Sequence, residues 1–394
     1  MKASNSKSNK IQNRNVILKM IALNAPVSRV SLSVMSGLSK MSLTNIINEF
    51  IDEGIVVETG IDNSSSGKRK PILLELADGA LCSVGIHITR SYVDGCIVDI
   101  KGTILYSIRK ELSNDITKDK LCEIILNLVE SLCVMSPKKI LGVGISAVGP
   151  IDLEKGMILN PTNFYGIKNL EIVKLIKDYY PELPVFLNKN TNCAVLAEKY
   201  YGYGKRCDNF AYVGVSKGVG FGVVTNDQLV IGDKGLACEI GHISVDLNGP
   251  LCSCGNHGCL ELYSSLLAAI SWGEEAVASG EKTSLVSPVS YYEIVKAARN
   301  DDKVANDILD KQCKYLAVGI VNVVNAFNPS KVIIGNDIAI GGDIIIERLK
   351  KFVGNTPIAT KDKPIDILLS KFYDKAPLLG GAAFVFENLY FTEQ

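Results

Sequence analysis

The stretch Gly249-Pro-Leu-Cys252-Ser-Cys254-Gly-Asn-His257-Gly-Cys259-Leu-Glu261, with His242 a short way upstream, sets the fold of the region around it. Three thiolates and one imidazole complete a tetrahedral zinc ion, and a site with no open position is structural rather than catalytic. Gly255 and Gly258 let so short a loop turn back on itself and bring Cys259 beside Cys252 and Cys254. Spacing alone leaves two candidates for the nitrogen donor, His242 and His257.

With the three of this loop, eleven cysteines are scattered through 394 residues. There is no cleavable apolar leader and no apolar run approaching the roughly eighteen residues of a membrane span, so neither export nor membrane insertion is expected. The expected compartment is a reducing cytoplasm, where clustered cysteines are metal ligands rather than disulfides. The length calls for two or three domains. Formal net charge is zero, yet Met1 to Asn48 carries Lys2, Lys7, Lys10, Arg14, Lys19, Arg29 and Lys40 with no acidic residue. A basic end on a neutral body points to a nucleic-acid contact.

That basic end reads as three short helices and a hairpin between about Ile11 and Asp78. Val16, Ile17, Met20 and Ile21 form one helical face that Pro26 terminates; Val30, Leu32 and Met35 mark a second helix, and Gly37 turns the chain. Ser39 caps a third helix, with Leu43, Ile46, Ile47, Phe50 and Ile51 at helical period. This is helix-turn-helix spacing. Ile55 to Glu58 and Pro71 to Leu76 then read as paired strands around a basic loop, Asp62 to Lys70, as a DNA-binding wing requires. Ser39, Lys40, Ser42, Thr44 and Asn45 are the candidate contacts to a major groove, and Lys68, Arg69 and Lys70 those of the wing tip.

After Gly79 the texture changes to glycine-punctuated strands, Ser83 to Ile88, Tyr92 to Ile100 and Thr103 to Arg109. A helix near Lys118 to Met135 and a strand Ile140 to Ser146 follow. The order recurs from Phe210 to Val215, Gly220 to Thr225 and Gln228 to Ile231, then a long helical region to Phe327 and a buried strand Lys331 to Ile334. Two similar α/β halves imply two lobes and a ligand cleft. Pro377 to Phe391 reads as an apolar helix returning to the first lobe. The expected domains are 1–78, 79–192 joined by 377–394, and 193–376, the last carrying the dimer surface.

Glu239-Ile-Gly-His242, the cysteine loop and Glu261 together resemble the ROK family of repressors and sugar kinases, and the resemblance runs from about residue 12 to the end. It implies an N-terminal winged helix-turn-helix followed by a two-lobed actin-like domain of the sugar kinase and ribonuclease H type, with a zinc-stapled loop. It favours His242 over His257 as the metal ligand and implies that Glu239, His242 and Glu261 hydrogen-bond sugar hydroxyls. Ionised carboxylates only accept, which suits donor hydroxyls, and zinc would fix the imidazole's orientation. Gly149, ahead of Pro150, and Asn163 in Asn160-Pro-Thr-Asn163 fall where family members line the sugar cleft.

The departures from the kinase pattern bear on activity. Family kinases carry Asn-Asp-Ala-Asn, whose Asp takes the proton from the sugar; here Asn188-Lys189-Asn190-Thr191-Asn192 sets Asn190 at that place. An amide cannot act as a general base, although Asn190 can still bind a hydroxyl. His87-Ile-Thr-Arg-Ser91 replaces the phosphate loop Asp-x-Gly-Gly-Thr, so no ATP is expected. Ser216-Lys-Gly218-Val-Gly220 keeps half of a second phosphate turn, and Gly335-Asn336 alters the adenosine-side Gly-Gly. Lys189 either points to solvent or sets a cation beside an acidic or phosphorylated sugar.

The expected function is therefore a non-catalytic, sugar-responsive repressor of a carbohydrate operon, with xylose or a related sugar as effector. It would bind a palindromic operator as a homodimer, or as a tetramer. Two other readings are an active sugar kinase with an appended DNA module, needing a base other than residue 190, and a repressor governed by a protein partner.

Overall fold

A computed structural model describes residues 6–61, 70–162, 164–233, 235–354, 356, 358 and 364–391. The chain forms two compact units, Met1–Tyr201 with Leu378–Gln394, and Gly202–Pro377. Among the described residues no helix is long and apolar enough to cross a membrane.

The first unit opens with α1 (Ser6–Asn24), the short strand β1 (Val27–Ser28), α2 (Arg29–Ser36) and α3 (Lys40–Asp52). Ser28 and Ser39 begin the second and third helices by accepting the Ser31 and Ser42 amide protons at 3.1 and 3.2 Å, and Gly37 ends α2 in the left-handed region. β2 (Val56–Ile61) and β3 (Ile72–Leu76) pair antiparallel, with β1 on the other edge of β3. Of α2's apolar residues Leu32 is buried, while Val30, Val34 and Met35 are exposed. The helix is as expected, but Val30 and Met35 do not belong to its buried stripe. Most of the basic loop, residues 62–69, lies outside the described residues.

Next come β4 (Cys82–Ile88), β5 (Tyr92–Asp99), β6 (Ile104–Glu111), α4 (Lys118–Met135), β7 (Ile140–Ala147), the short pair β8 (Ile151–Asp152) and β9 (Met157–Ile158), α5 (Ile172–Tyr179), β10 (Val185–Lys189) and α6 (Asn190–Tyr201). The second unit has β11 (Phe210–Val215), β12 (Val219–Thr225), β13 (Gln228–Leu229), α7 (Glu261–Ser264), α8 (Leu266–Ala278), α9 (Tyr291–Arg299), α10 (Lys303–Phe327), β14 (Lys331–Gly335), α11 (Asp343–Val353) and β15 (Asp366–Leu369). The sheets are ordered β6-β5-β4-β7-β10 and β13-β12-β11-β14-β15. In each, an antiparallel meander is extended by two parallel strands, so the second unit repeats the topology of the first.

Helix α12 (Ala376–Phe386) and a π-helical turn, Glu387–Phe391, return to the first unit. A methyl on Gly144 would overlap the Gly381 carbonyl, and one on Gly380 would overlap that of Cys193. The helix therefore lies backbone to backbone on β7 and α6. Its far end enters the core of the N-terminal head, where Phe386 and Phe391 join Leu196 and Tyr200 of α6 and Ile17, Ile21, Ile47, Phe50 and Leu74 of the head. Each such side chain contributes about 1.5–3 kcal/mol by burial.

Two expected boundaries thus move. A division after residue 192 would cut α6, which is continuous to Tyr201, and the head shares a core with α6 and α12 instead of standing alone after residue 78. Gly144→Ala is expected to cost about 2–3 kcal/mol, because backbone rather than a mobile side chain blocks the methyl. Gly60→Ala, which meets nothing within 4 Å, should stay within about 0.5 kcal/mol. Urea unfolding of the two variants tests this, and equal stabilities would refute the close packing.

Candidate functional site

In the second unit a 3-10 turn, Ile240–His242, follows β12 and β13, and the glycine-rich loop folds over it. Ser244 bridges to Cys259 and Leu251 to His257, which closes the loop on itself. The left-handed Gly255 has φ +93°, and Gly258 has φ +59° with the Asp246 carbonyl where a methyl would sit. A ring nitrogen of His242 and the sulfurs of Cys252, Cys254 and Cys259 all lie within 4.8 Å of one another. Cys252 Sγ is 3.7 Å from His242 Nδ1, and Cys254 Sγ 3.6 Å from Cys259 Sγ. The edges of a tetrahedron with metal–sulfur bonds near 2.3 Å are about 3.5–3.8 Å, so the donor set fits such an ion.

His257 faces elsewhere, with its Nδ1 3.1 Å from the Gly249 carbonyl. Burial and the neighbouring sulfurs push the Cys259 thiol up to about 12, whereas the Asn256 backbone N–H lowers that of Cys254. Thiols this close resist joint ionisation, and a divalent cation among them reverses the sign of that balance.

Glu239 is exposed at the head of the 3-10 turn, and its carbonyl accepts the His242 N–H at 3.0 Å. Gly241 is required by close approach, since a methyl there would overlap the Val219 carbonyl. Glu261 begins α7, and its Oε2 accepts the Val219 N–H at 2.8 Å. The same carboxylate lies 2.6 Å from where a Cβ on Gly218 would be. The half-kept turn between β11 and β12 therefore spends an amide on Glu261. At the altered Gly-Gly, the Tyr212 hydroxyl donates to Asn336 Oδ1 at 2.8 Å.

In the first unit β10 delivers Lys189 and Asn190 at its C-terminal end. The Asn190 Oδ1 accepts from the Thr191 N–H at 2.8 Å and from its hydroxyl at 3.2 Å. Lys189 does not point to solvent: it is 6 % exposed, its Cδ 3.7 Å from where a Cβ on Gly149 would be. Asn163 lies outside the described residues. On the other face of the sheet, strand register lines up Asn188, Ser146, His87, Asp94 and Arg109 across all five strands.

His87 Nδ1 is 3.1 Å from Ser146 Oγ, Asn192 donates to Asn188 at 2.9 Å, and Arg109 grips Asp94 through two 2.6 Å bonds while stacking on Tyr92. His87 is thus buried within a polar row whose members are paired with one another. Sequence reading missed this row, because only strand register reveals that residues so far apart share one face.

On the head, Lys40, Ser42, Thr44 and Asn45 are exposed along α3, and Lys70 is exposed next to β3. Ser39 is committed to capping, and the Thr44 hydroxyl donates back to the Lys40 carbonyl at 2.7 Å. Met41 of the same helix is 77 % exposed, an apolar residue outside the buried stripe of α3. Lys68 and Arg69 lie outside the described residues.

A model of the ROK family matches residues 83–388, so the head precedes the matched region. The xylose repressor of Bacillus subtilis is 32 % identical over 379 residues, covering 95 % of each chain. A solved ROK family transcriptional regulator, described as a homologue of the Escherichia coli Mlc protein, superposes with a TM-score of 0.81 at 28 % identity and covers 97 % of each chain. A ROK family glucokinase from Streptomyces griseus, solved with glucose and AMPPNP, has a TM-score of 0.69 at 24 % identity and covers 77 % of this chain and 98 % of its own. That last likeness establishes the α/β, actin-like sugar-kinase fold.

The donor cluster predicts about one tightly held metal ion per purified chain by elemental analysis. Cys259→Ser should lose it and melt at lower temperature, whereas His257→Gln should keep it. Full metal content in the Cys259 variant would refute the four-ligand site.

Proposed function

The chain belongs to the ROK family, and from that premise we propose that it is a sugar-responsive transcriptional repressor and not an enzyme. One observation carries this reading: the likeness to a named repressor spans head and body alike, while the kinase likeness stops short of the whole chain. The chemistry agrees, since Asn190 cannot accept the proton a kinase must remove and His87 stands where a metal-binding aspartate would. No ATP is required by this reading.

His242, Cys252, Cys254 and Cys259 hold one structural zinc, which fixes the loop and the imidazole. With Nδ1 turned into the cluster, Nε2 is the edge of His242 left to donate to a hydroxyl, while Glu239 and Glu261 accept. Gly149, Asn163 and Asn190 complete the effector residues, and the effector is xylose or a related sugar. The head is a winged helix-turn-helix whose α3 enters the major groove with Lys40, Ser42, Thr44 and Asn45, and whose wing tip, Lys68 to Lys70, meets the backbone. A homodimer in the cytoplasm presents two such heads to a palindrome.

The signal has a physical carrier in α6, which starts at Asn190 and ends with Tyr200 inside the head's core. The Tyr200 hydroxyl contacts the Glu387 carboxylate, a group raised above its usual range by burial and lowered by Lys199 and Lys19. Residues of α1, α6 and the C-terminal turn thus meet at one polar point. A ligand that favours one position of α6 biases the head in proportion to its differential affinity.

A thermal-shift screen of sugars, sugar phosphates and Mg-ATP, followed by DNA binding on sites selected from a random library, tests this. A sugar at about a hundred times its Kd stabilises by about 2.7 kcal/mol and should change DNA affinity; stabilisation by Mg-ATP would restore the kinase reading. Tyr200→Phe should leave sugar binding in place and shrink the sugar's effect on DNA, and an unchanged effect would remove the polar point from the pathway.

A further inference from the structure

Helix α3 has two faces. Leu43, Ile46, Ile47 and Phe50 are buried in the head's core, while Lys40, Met41, Thr44, Asn45 and Asn48 are exposed at the complementary helical spacing. Over that stretch the exposed face bears one cation and no carboxylate. The acidic residues of the helix begin at Glu49, which is tied to Lys10 and Arg14. With the positive end of the helix beside Lys40, this face suits a polyanion.

The hydroxyls near the start of α3 already have partners in the helix itself. Ser39 and Ser42 share a 2.9 Å hydrogen bond, Ser39 Oγ also accepts the Ser42 N–H at 3.2 Å, and the Thr44 hydroxyl donates to the Lys40 carbonyl at 2.7 Å. With its hydroxyl turned back on the helix, the exposed Thr44 offers outward the other branch of its Cβ, a methyl. Met41 is its neighbour one turn earlier, 77 % exposed and no part of the head's core. The first turns of α3 therefore present a thioether chain and a methyl side by side, at the end of a recognition helix that reaches base edges.

Apolar atoms in a major groove have one distinctive partner, the C5 methyl of thymine; the other base-edge groups there form hydrogen bonds, which apolar atoms would leave unmade. We propose that Met41, together with the Thr44 methyl, reads the 5-methyl group of a thymine in the operator, so that an apolar contact sets the sequence preference at that base pair. This rests on the repressor reading above, with α3 in the major groove, and adds to it the chemical group that is read. Lys40, directly before Met41, supplies charge toward the phosphates, which positions the helix without carrying sequence information.

The full chain is first used to enrich sites from a random-sequence DNA library. Each thymine of the enriched site is then replaced singly by uracil, which keeps the base pair and lacks only the methyl. At one thymine or more, uracil should weaken binding about three- to fivefold, the factor expected when one methyl-sized group is no longer taken out of water.

Met41→Ala should abolish that preference for thymine over uracil at the same position. Thr44→Ser, which keeps the hydroxyl and removes only the methyl, should reduce it. Both side chains are exposed, so each variant should melt with the unaltered chain. A methyl that acts only through the shape of the DNA keeps its effect in the variants, so a preference unchanged in either variant overturns the proposal, as does the lack of any such thymine for the unaltered chain. In both cases DNA enrichment and its response to a sugar leave the repressor reading standing, whereas a chain that enriches no DNA removes the two together.

Discussion

The direct contact of the α12 backbone with its neighbours is the constraint on which the first unit depends. With no side chain on Gly144 or Gly380, the carbonyls of Gly381 and Cys193 occupy the space a methyl would need. β7, α6 and α12 are consequently fixed to one another at backbone distance, with little freedom to slide. Phe386 and Phe391 then carry that rigidity into the head's core, where Ile17, Phe50 and Leu74 meet them. A head tethered by a flexible linker would be indifferent to the state of the body; one that shares a core with it is not.

Much of this was legible in the sequence because the relevant signals are local. The strand-rich starts of both halves, the Ser39 cap and the cysteine loop are each written within a dozen residues or so, and each recurs in the structure at nearly the expected positions. What escaped were features that depend on burial from afar. Asn188 to Asn192 is a polar run, yet it spans the end of β10 and the start of α6, and its asparagines are paired to each other and to the backbone. Val30 and Met35 have helical spacing but face outward, exposed among the described residues on a helix of eight residues. The shared core of head and body joins residues nearly four hundred positions apart, and no pattern in either segment announces it.

Reading a kinase-like fold as a sensor has an electrostatic meaning. Phosphoryl transfer needs charges and amides aimed at a ligand that is not yet present. Here the corresponding groups are turned on one another: His87 toward Ser146, Asp94 toward Arg109, and the Val219 amide toward Glu261. Such satisfied networks add rigidity and remove the unpaired donors that a nucleotide would need. In the proposed sensor the carboxylates and the imidazole of the second unit would recognise hydroxyls without requiring chemistry.

How strongly a ligand can act on the head follows from the same packing. To reverse an equilibrium from 1:99 to 99:1, a ligand must prefer one state by about 5.5 kcal/mol. A single hydrogen bond at Asn190 contributes about 1 kcal/mol net and would move the head only slightly. In the proposed sensor a further contribution would come from Glu239, His242 and Glu261, whose contacts would count toward switching only insofar as they differ between the two states. A sensor built this way gains its range from the sum of several modest differential contacts, and those nearest the start of α6 act closest to the helix that reaches the head's core.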